Sequence, residues 1–173
     1  LALKDPFTYL PYVCETLLNL GVCLFNKRAF SDAKTVYEEA LFISKKTQVN
    51  SFYLSKIMTS KILNNLANIH QVNKEYLKAI EFYSEALIIL KDEISSKELL
   101  RWKATLMTNL AISHKNNGDL INAEKAYKES LFIRRNLAIE NPEMYNSEMA
   151  ETVFNLANLY SLKNEISNSE KAY

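Results

Sequence analysis

Apolar residues recur along this chain at the spacing of amphipathic α-helices. In the first segment they fall at i, i+3, i+4 and i+7, at Leu17, Leu20, Gly21 and Leu24, which places them on one face of a helix. The same period, interrupted by short polar segments, predicts helices over about 11–27, 30–46, 52–72, 75–91, 96–116, 120–139 and 147–162, and a last helix from about residue 165. The pattern therefore predicts an all-α fold without a β-sheet.

Local signals sharpen several of these boundaries. Pro6 suits the first position of a helix, whereas Pro11 lies deep enough to predict a short turn of helix, a break and a fresh start. Ser95 and Glu98 form the pattern of a capping box at the start of the helix over 96–116. Gly118 can take the left-handed conformation that ends a helix.

The stretch 108–131 returns, altered, in three other places. Aligned without gaps, the copies superpose four leucines that stand 46, 44 and 46 residues apart, which we call the register leucines: Leu20, Leu66, Leu110 and Leu156. Each is followed at once by a small residue, Gly21, Ala67, Ala111 or Ala157. Thirteen residues after the leucine stands Ala33, Ala79, Ala123 or Ser169, and seventeen after it stands Tyr37, Tyr83, Tyr127 or Tyr173. A fixed period of this kind indicates a repeat array.

Packing accounts for these recurring residues. Small side chains let two helices approach closely, and a larger side chain there would typically cost about 1–3 kcal/mol. The tyrosines fill the space that the small residues leave. We therefore expect an α-solenoid of antiparallel helix pairs, in which the A helix of each pair carries the register leucine and the B helix carries the tyrosine.

The recurring positions resemble the tetratricopeptide repeat (TPR). Leucine followed by glycine or alanine, then alanine, tyrosine and alanine at fixed offsets, matches that family's signature, for example at Leu66, Ala67, Ala79, Tyr83 and Ala86. The resemblance covers essentially the whole chain and implies a right-handed superhelix whose A helices line a concave face.

The period departs from the usual one. It is 44–46 residues instead of about 34, and the family's closing proline is absent. Both features, and the connection over 139–145, resemble the long-repeat subset typified by kinesin light chains, in which added helical turns hold the extra residues.

The repeats predict a single solenoid over 1–173. Its units are expected at about 6–46, 52–91, 96–139 and 147–173, the last of them truncated. Residues 1–6 resemble residues 137–142, so we expect the chain to be a piece of a longer array.

Composition and charge narrow the range of functions. The chain has 21 basic and 20 acidic residues, interspersed, and a net charge of +1, which leaves no basic field for binding nucleic acid. Its apolar runs are too short for insertion into a membrane, and no signal peptide opens it. Cys14 and Cys23 lack metal-ligand spacing, and we expect them to be free, buried thiols in a reducing cytoplasm.

The sequence carries no candidate catalytic, cofactor-binding or metal-binding motif. His70 and His114 share a register position, but neighbouring repeats lie about 10 Å apart, which favours packing histidines over metal ligands. Charged pairs such as Arg134 with Arg135 are expected to be solvated. We therefore expect a protein that is not an enzyme and that needs no cofactor.

Asparagine precedes every register leucine, although packing does not require it. With the residues three and seven positions further on, each asparagine forms a stripe along its A helix. The asparagine stripes are Asn19, Val22 and Asn26; Asn65, Asn68 and Val72; Asn109, Ile112 and Asn116; and Asn155, Asn158 and Leu162. A carboxamide can both donate to and accept from a peptide backbone, and the TPR resemblance implies that such ladders hold the main chain of a bound peptide. The alternative, that each asparagine bridges neighbouring helices, stays open.

The leading hypothesis is a non-catalytic interaction scaffold that binds a peptide or a helix of a partner protein on the concave face. The apolar residues on and beside the stripes would select the partner's side chains: Leu18, Val22, Phe25, Ile112 and Phe154. Two alternatives stay open. One is the regulatory segment of a larger effector, such as a signalling enzyme or a transcription regulator. The other is a structural spacer that associates with itself through its truncated C-terminal end.

Overall fold

The computed structural model describes residues 6–47, 52–93 and 96–171, and within them the side chains of 9–46, 56–93 and 96–164. These residues form seven α-helices: α1 (Pro6–Asn26), α2 (Phe30–Thr47), α3 (Phe52–Val72), α4 (Tyr76–Ile89), α5 (Lys97–Asn116), α6 (Leu120–Glu140) and α7 (Pro142–Lys171). The described residues contain no strand. The predicted all-α class is confirmed, and α2, α3, α5 and α6 begin and end within about a residue of their predicted bounds.

The helices group into two compact units, Leu1–Glu93 with α1–α4 and Ile94–Tyr173 with α5–α7. In the first unit α1 packs against α2, α3 packs against α4, and α3 also contacts α1 and α2. In the second unit α6 packs against both α5 and α7. Packed helix pairs are therefore present within each unit, whereas a single solenoid over 1–173 stays a prediction.

The extra residues of the long repeat are accommodated in longer helices. The helices α1, α2, α3, α5 and α6 have 18 to 21 residues each, and only α4 is shorter, with 14. The added turns expected of a long repeat are therefore present in most of these helices.

Two register leucines, Leu66 and Leu156, lie in core clusters with the tyrosine of the preceding B helix. Leu66 lies in one core cluster with Tyr37 of α2, and Leu156 lies in another with Tyr127 of α6. No described helix precedes α1, and the side chain of Leu20 is 47% exposed. The expectation that Leu20 packs as its counterparts do is therefore wrong.

The predicted break at Pro11 is also wrong, because α1 continues from Pro6 to Asn26 with this proline inside it. A proline within a helix removes one backbone hydrogen bond and costs about 3 kcal/mol. Packing of α1 on α2 offsets that cost.

The buried Cys14 belongs to the core cluster of α1–α3, and its Sγ donates a hydrogen bond to the carbonyl oxygen of Ala40 at 3.3 Å. Burial raises the pKa of the Cys14 thiol to about 11, whereas Cys23 is exposed, contrary to expectation.

The helix α5 is capped one residue later than predicted. The hydroxyl of Ser96 accepts a hydrogen bond from the backbone N–H of Leu99 at 3.1 Å, which makes Ser96 the N-cap. Leu99 has no side-chain acceptor to return the bond, so Ser96 does not form a reciprocal capping box with it. The capping box predicted with Glu98 depends on Ser95. Ser95 lies outside the described residues.

No turn divides α7, which runs from Pro142 to Lys171 through the predicted end of a fourth A helix at residue 162. It begins at Pro142 because the side chain of Asn141 accepts a hydrogen bond from the backbone N–H of Met144 at 3.2 Å. No B helix covers Ala157, which is exposed, whereas its counterpart Ala111 is buried. The predictions of a separate B helix from residue 165 and of close packing at Ala157 are therefore wrong. Tyr173 lies outside the described residues.

The turns between α1 and α2, α3 and α4, and α5 and α6 share a left-handed residue. It is Arg28 (φ 62°), Lys74 (φ 61°) or Gly118 (φ 84°), each eight positions after its register leucine. In all three turns the following N–H donates to the carbonyl oxygen five residues earlier, at 2.8 to 3.0 Å. Only Gly118 was predicted, because residues with a Cβ rarely adopt positive φ.

This strain makes Lys74→Gly a stabilising substitution. A left-handed residue with a Cβ destabilises the folded state by about 1–2 kcal/mol, and glycine avoids this strain. Part of the gain is lost again, because glycine has more conformational entropy to lose when the chain folds. We expect the free energy of unfolding to rise by about 0.5–1 kcal/mol, measured by urea denaturation. Lys61→Gly, at an exposed position inside α3, is the control and should lower it by about 1 kcal/mol. Equal losses in the two variants would contradict this account of the turn.

Candidate functional site

Half of the asparagines in the four stripes are exposed. These are Asn19 and Asn26 on α1, Asn116 on α5 and Asn158 on α7. Asn19 and Asn158 lie inside their helices, where asparagine is a poor residue because its side chain competes for backbone hydrogen bonds, whereas Asn26 and Asn116 end α1 and α5. An exposed side chain contributes little to packing. These four carboxamides are therefore accessible to a ligand, and the fold itself does not require them.

The other four asparagines are half-buried, and some of them bond within the protein. The hydroxyl of Tyr83 donates to the side-chain oxygen of Asn68 at 2.5 Å, which ties α3 to α4. Asn64 donates from its side-chain nitrogen to the side-chain oxygen of Asn65 at 3.1 Å. Asn109 also interacts within the protein. At Asn68 the carboxamide therefore bridges two helices.

The apolar residues on and beside the stripes divide in the same way. Val22 and Phe154 are exposed, whereas Leu18, Phe25 and Ile112 are partly buried against the cores of their units. The stripe residue Val72 is also exposed, so Val22, Val72 and Phe154 present much of their side chains to a ligand.

The tyrosines of the repeat are buried where the helix pairs come closest. A Cβ placed on Gly21 would lie 2.3 Å from the ring of Tyr37, so this pair requires glycine. Burial raises the pKa of Tyr37 and of Tyr127 to about 12. The hydroxyl of Tyr127 is buried without a hydrogen-bond partner among the described residues. Tyr83 bonds to Asn68 of α3, whereas the residue at the same register position on α5, beside Tyr127, is the apolar Ile112.

Both histidines face an acid that begins the next helix. The ring of His70 is buried, stacks on Phe82 with 5.3 Å between ring centroids, and bonds through Nδ1 to Glu75. That hydrogen bond lowers the pKa of Glu75. His114 Nδ1 lies 3.1 Å from Asp119 Oδ2, at ion-pair distance but without hydrogen-bond geometry. The histidines pack as expected, but their acid partners were missed; the signal was an acid five residues after each histidine.

A buried polar cluster joins α5, α6 and α7. Arg134 is buried, contrary to the expectation that it is solvated, and its Nη1 donates to the backbone oxygen of Glu148 and to the hydroxyl of Thr152, both at 2.6 Å. Arg101 Nε donates to Glu148 Oε1 at 2.6 Å. Burial lowers the pKa of Arg134. The signal that was missed is the period of α6, because Arg134 stands three and seven residues after the buried Leu131 and Tyr127, whereas Arg135 points away from that face.

Two kinds of site do not occur in the part of the chain that the structure describes. No three His, Cys, Asp or Glu side chains come together there as a metal site requires. None of the helices searched there combines the length and the apolarity needed to cross a membrane.

The contrast between Tyr83 and Tyr127 predicts different costs for losing the same hydroxyl. Tyr83→Phe should lower the free energy of unfolding by about 1 kcal/mol or more, because it leaves the half-buried Asn68 oxygen without its donor. Tyr127→Phe is the matched control and should be neutral or slightly stabilising, because it removes a buried hydroxyl that has no partner. A double-mutant cycle of Tyr83→Phe with Asn68→Ala, read by urea denaturation, should give a coupling of about 1 kcal/mol. Zero coupling would mean that the bond does not stabilise the pair.

Comparisons with known proteins agree with this architecture. Residues 58–136 match the sequence model of a family described as tetratricopeptide repeat. No curated protein gave a match. Among solved structures, BtubC (BKLC) from P. vanneervenii has a TM-score of 0.60 at 20% identity, over 98% of this chain and 80% of its own. The C-terminal TPR-containing domain of an FK506-binding protein from Plasmodium falciparum has a TM-score of 0.65 at 20% identity, over 95% of each chain.

At this level of identity the two structures show a shared fold and nothing more specific. Repeats of this family generally mediate protein–protein interactions, and their fold is typically that of a non-catalytic scaffold. Residues 58–136 of this chain thus match the tetratricopeptide repeat family, and nearly the whole chain shares the fold of the two solved structures.

Proposed function

We propose that this protein is a non-catalytic scaffold that binds an extended peptide segment of a partner protein along its asparagine stripes. The observation that carries this proposal is the exposure of four stripe asparagines on the A helices α1, α5 and α7: Asn19, Asn26, Asn116 and Asn158. The family resemblance implies that these A helices line the concave face. Carboxamides there bind main chain, because each offers a donor and an acceptor to the repeating N–H and C=O groups of a peptide.

The magnitudes show what else such a site needs. A typical hydrogen bond contributes about 0.5–1.5 kcal/mol net, so four of them contribute roughly 2–6 kcal/mol. A micromolar complex requires about 8 kcal/mol. Apolar contacts must supply the difference, and the exposed Val22, Val72 and Phe154 are the residues on and beside the stripes that are available for them. Main-chain bonds then set the affinity common to all ligands, and the apolar residues set the preference among them.

The test uses peptides selected from a random phage-displayed library, synthesised and measured by isothermal titration calorimetry. Asn19→Ala combined with Asn116→Ala should weaken binding about tenfold or more, because each substitution removes an accessible carboxamide. The unfolding midpoint should stay nearly unchanged, because both side chains are exposed. The half-buried Asn65 and Asn109 are avoided, since both interact within the protein.

Asn136→Ala is the matched control, because Asn136 is an exposed asparagine on the B helix α6. It should leave the affinity as it is. N-methylation of single peptide amides should weaken binding at several positions if the main chain is held. Unchanged affinity in the double variant would overturn the proposal and leave the asparagines with a structural role only.

Self-association is a second candidate, favoured by the exposed face of α7. Val153, Phe154 and Ala157 are exposed there, at positions that B helices cover in other pairs. For example, Thr108, the counterpart of Phe154 on α5, bonds to Ser130 of α6 at 2.8 Å. A second copy that covered this face would remove three apolar side chains from water.

Sedimentation equilibrium tests this candidate. If the face mediates association, the protein forms dimers or larger species at high concentration, and Phe154→Ser shifts the equilibrium about tenfold or more towards the monomer. Ile88→Ser is the control, because Ile88 is a similarly exposed side chain on α4. A strict monomer at every concentration would exclude self-association through this face.

A further inference from the structure

The helix α6 carries exposed side chains on the face turned away from its buried residues. Three of them are large and apolar: Ile121 is 78% exposed, Phe132 68% and Ile139 80%. Between them stand three exposed basic residues. We call this set the α6 outer stripe: Ile121, Lys125, Lys128, Phe132, Arg135 and Ile139. Neither the core nor the asparagine stripes use these side chains.

The spacing within the α6 outer stripe is that of a helix-pairing surface. Successive members stand four, three, four, three and four residues apart, as the a and d positions of a heptad do. At about 100° per residue they fall within roughly 40° of one line, and the 18 residues from Ile121 to Ile139 span about 27 Å of helix. A second helix laid along α6 would therefore contact all six members.

Repeat packing does not demand this stripe. The same register positions hold Ser31, Thr35, Glu38, Phe42 and Lys45 on α2. On α4 they hold Leu77, Glu81, Ser84 and Ile88, followed by Lys91 just beyond the end of the helix. Each of those helices has an acid in the middle of the set, where α6 has Lys125 and Lys128. The combination of apolar and exclusively basic residues is therefore particular to α6.

The charges of the α6 outer stripe are largely unpaired. Lys128 is bound to Glu124 at 2.6 Å. The other ion pairs of α6 among the described residues are made by Glu124, Arg134 and Glu140, and none involves Lys125 or Arg135. Two positive charges thus stand beside exposed apolar side chains with no acid in contact.

We propose that the α6 outer stripe docks an acidic amphipathic helix of a partner protein. Apolar residues of that helix meet Ile121, Phe132 and Ile139, and its aspartates or glutamates meet the basic residues between them. This site lies on a B helix, so the proposal goes beyond binding of a peptide along the asparagine stripes and does not rest on it.

Charge excludes two other occupants. A second copy packed through the same stripe would bring basic residues against basic residues in either orientation, because the stripe contains no acid. A flat anionic membrane would meet the acids that flank the stripe. Glu129 is exposed on one side, and Glu124 on the other is held ionised because its bonds to Lys128 and Lys163 lower its pKa to about 2. A single helix is narrow enough to avoid both carboxylates.

The probe is a fluorescein-labelled helical peptide of about three heptads. It carries leucine opposite the three apolar members and glutamate opposite the three basic members, and a second peptide has lysine in place of each glutamate. Fluorescence anisotropy should show binding of the acidic peptide, weakening as salt rises, and no binding of the basic one. Phe132→Ser should weaken binding about tenfold, as loss of a central apolar anchor typically does.

Phe42→Ser is the matched control, because Phe42 has the same register position on α2, is 60% exposed and lies beside Glu38. It should leave binding unchanged, as should Asn19→Ala with Asn116→Ala, which separates this site from the asparagine stripes. Lys125→Glu with Arg135→Glu should abolish binding of the acidic peptide and create binding of the basic one. Both residues are exposed, so circular dichroism should show an unchanged fold.

Three results would overturn the proposal. The first is that the acidic peptide does not bind. The second is that Phe132→Ser and Phe42→Ser weaken its binding equally, and the third is that Lys125→Glu with Arg135→Glu leaves its affinity unchanged. Vesicles of phosphatidylserine and phosphatidylcholine provide the remaining arm, measured by flotation. Binding to vesicles that Lys125→Glu with Arg135→Glu abolishes, without binding of the acidic peptide, would assign the stripe to a lipid surface instead.

Discussion

The contact on which each helix pair depends is that between a buried tyrosine of the B helix and the small residue after the register leucine of the A helix. Between Tyr37 and Gly21 the two helices lie so close that even a methyl group would overlap the ring. A contact this close holds the two helices at a short distance and leaves only a tight turn between them. The turn requires a left-handed residue, and packing of the tyrosine offsets the strain that Arg28 and Lys74 carry there. The same geometry recurs because the sequence repeats both partners.

This arrangement separates the surfaces of the helices by role. The side of an A helix that carries the small residue is committed to packing, so the asparagine that precedes the register leucine lies outside the closest contact. Likewise, the B helix buries its tyrosine and alanines and leaves its opposite face unused by the core. Function is therefore available on two kinds of surface, uncharged carboxamides on the A helices and, on α6 alone, apolar residues with basic ones. The two surfaces favour different partners, because main chain is uncharged and an acidic helix is not.

The fold could be predicted from the sequence in most of its parts. The bounds of α3 were predicted to the residue, because its apolar period is long and is interrupted by clear polar segments. The candidate site could be predicted only in part. All eight asparagines were found from their register, but Asn68 bonds to Tyr83 while Asn158 faces solvent. Periodicity gives the direction in which a side chain points along its own helix, and it does not say which side chain of another helix meets it.

The sequence by itself determined most of the helices and the pairing of α1 with α2, α3 with α4, and α5 with α6, because these follow from a local period that is repeated along the chain. Only the tertiary structure decided which copies of a position are alike in environment. It gave Arg134 its hydrogen-bond partners on α7, carried α1 through Pro11, and continued α7 without a turn, so that Ala157 is exposed while Ala111 is buried. The physical reason is the same in each case: burial and hydrogen bonding depend on which neighbouring helix is present, and a neighbour is not encoded in the residues that it covers.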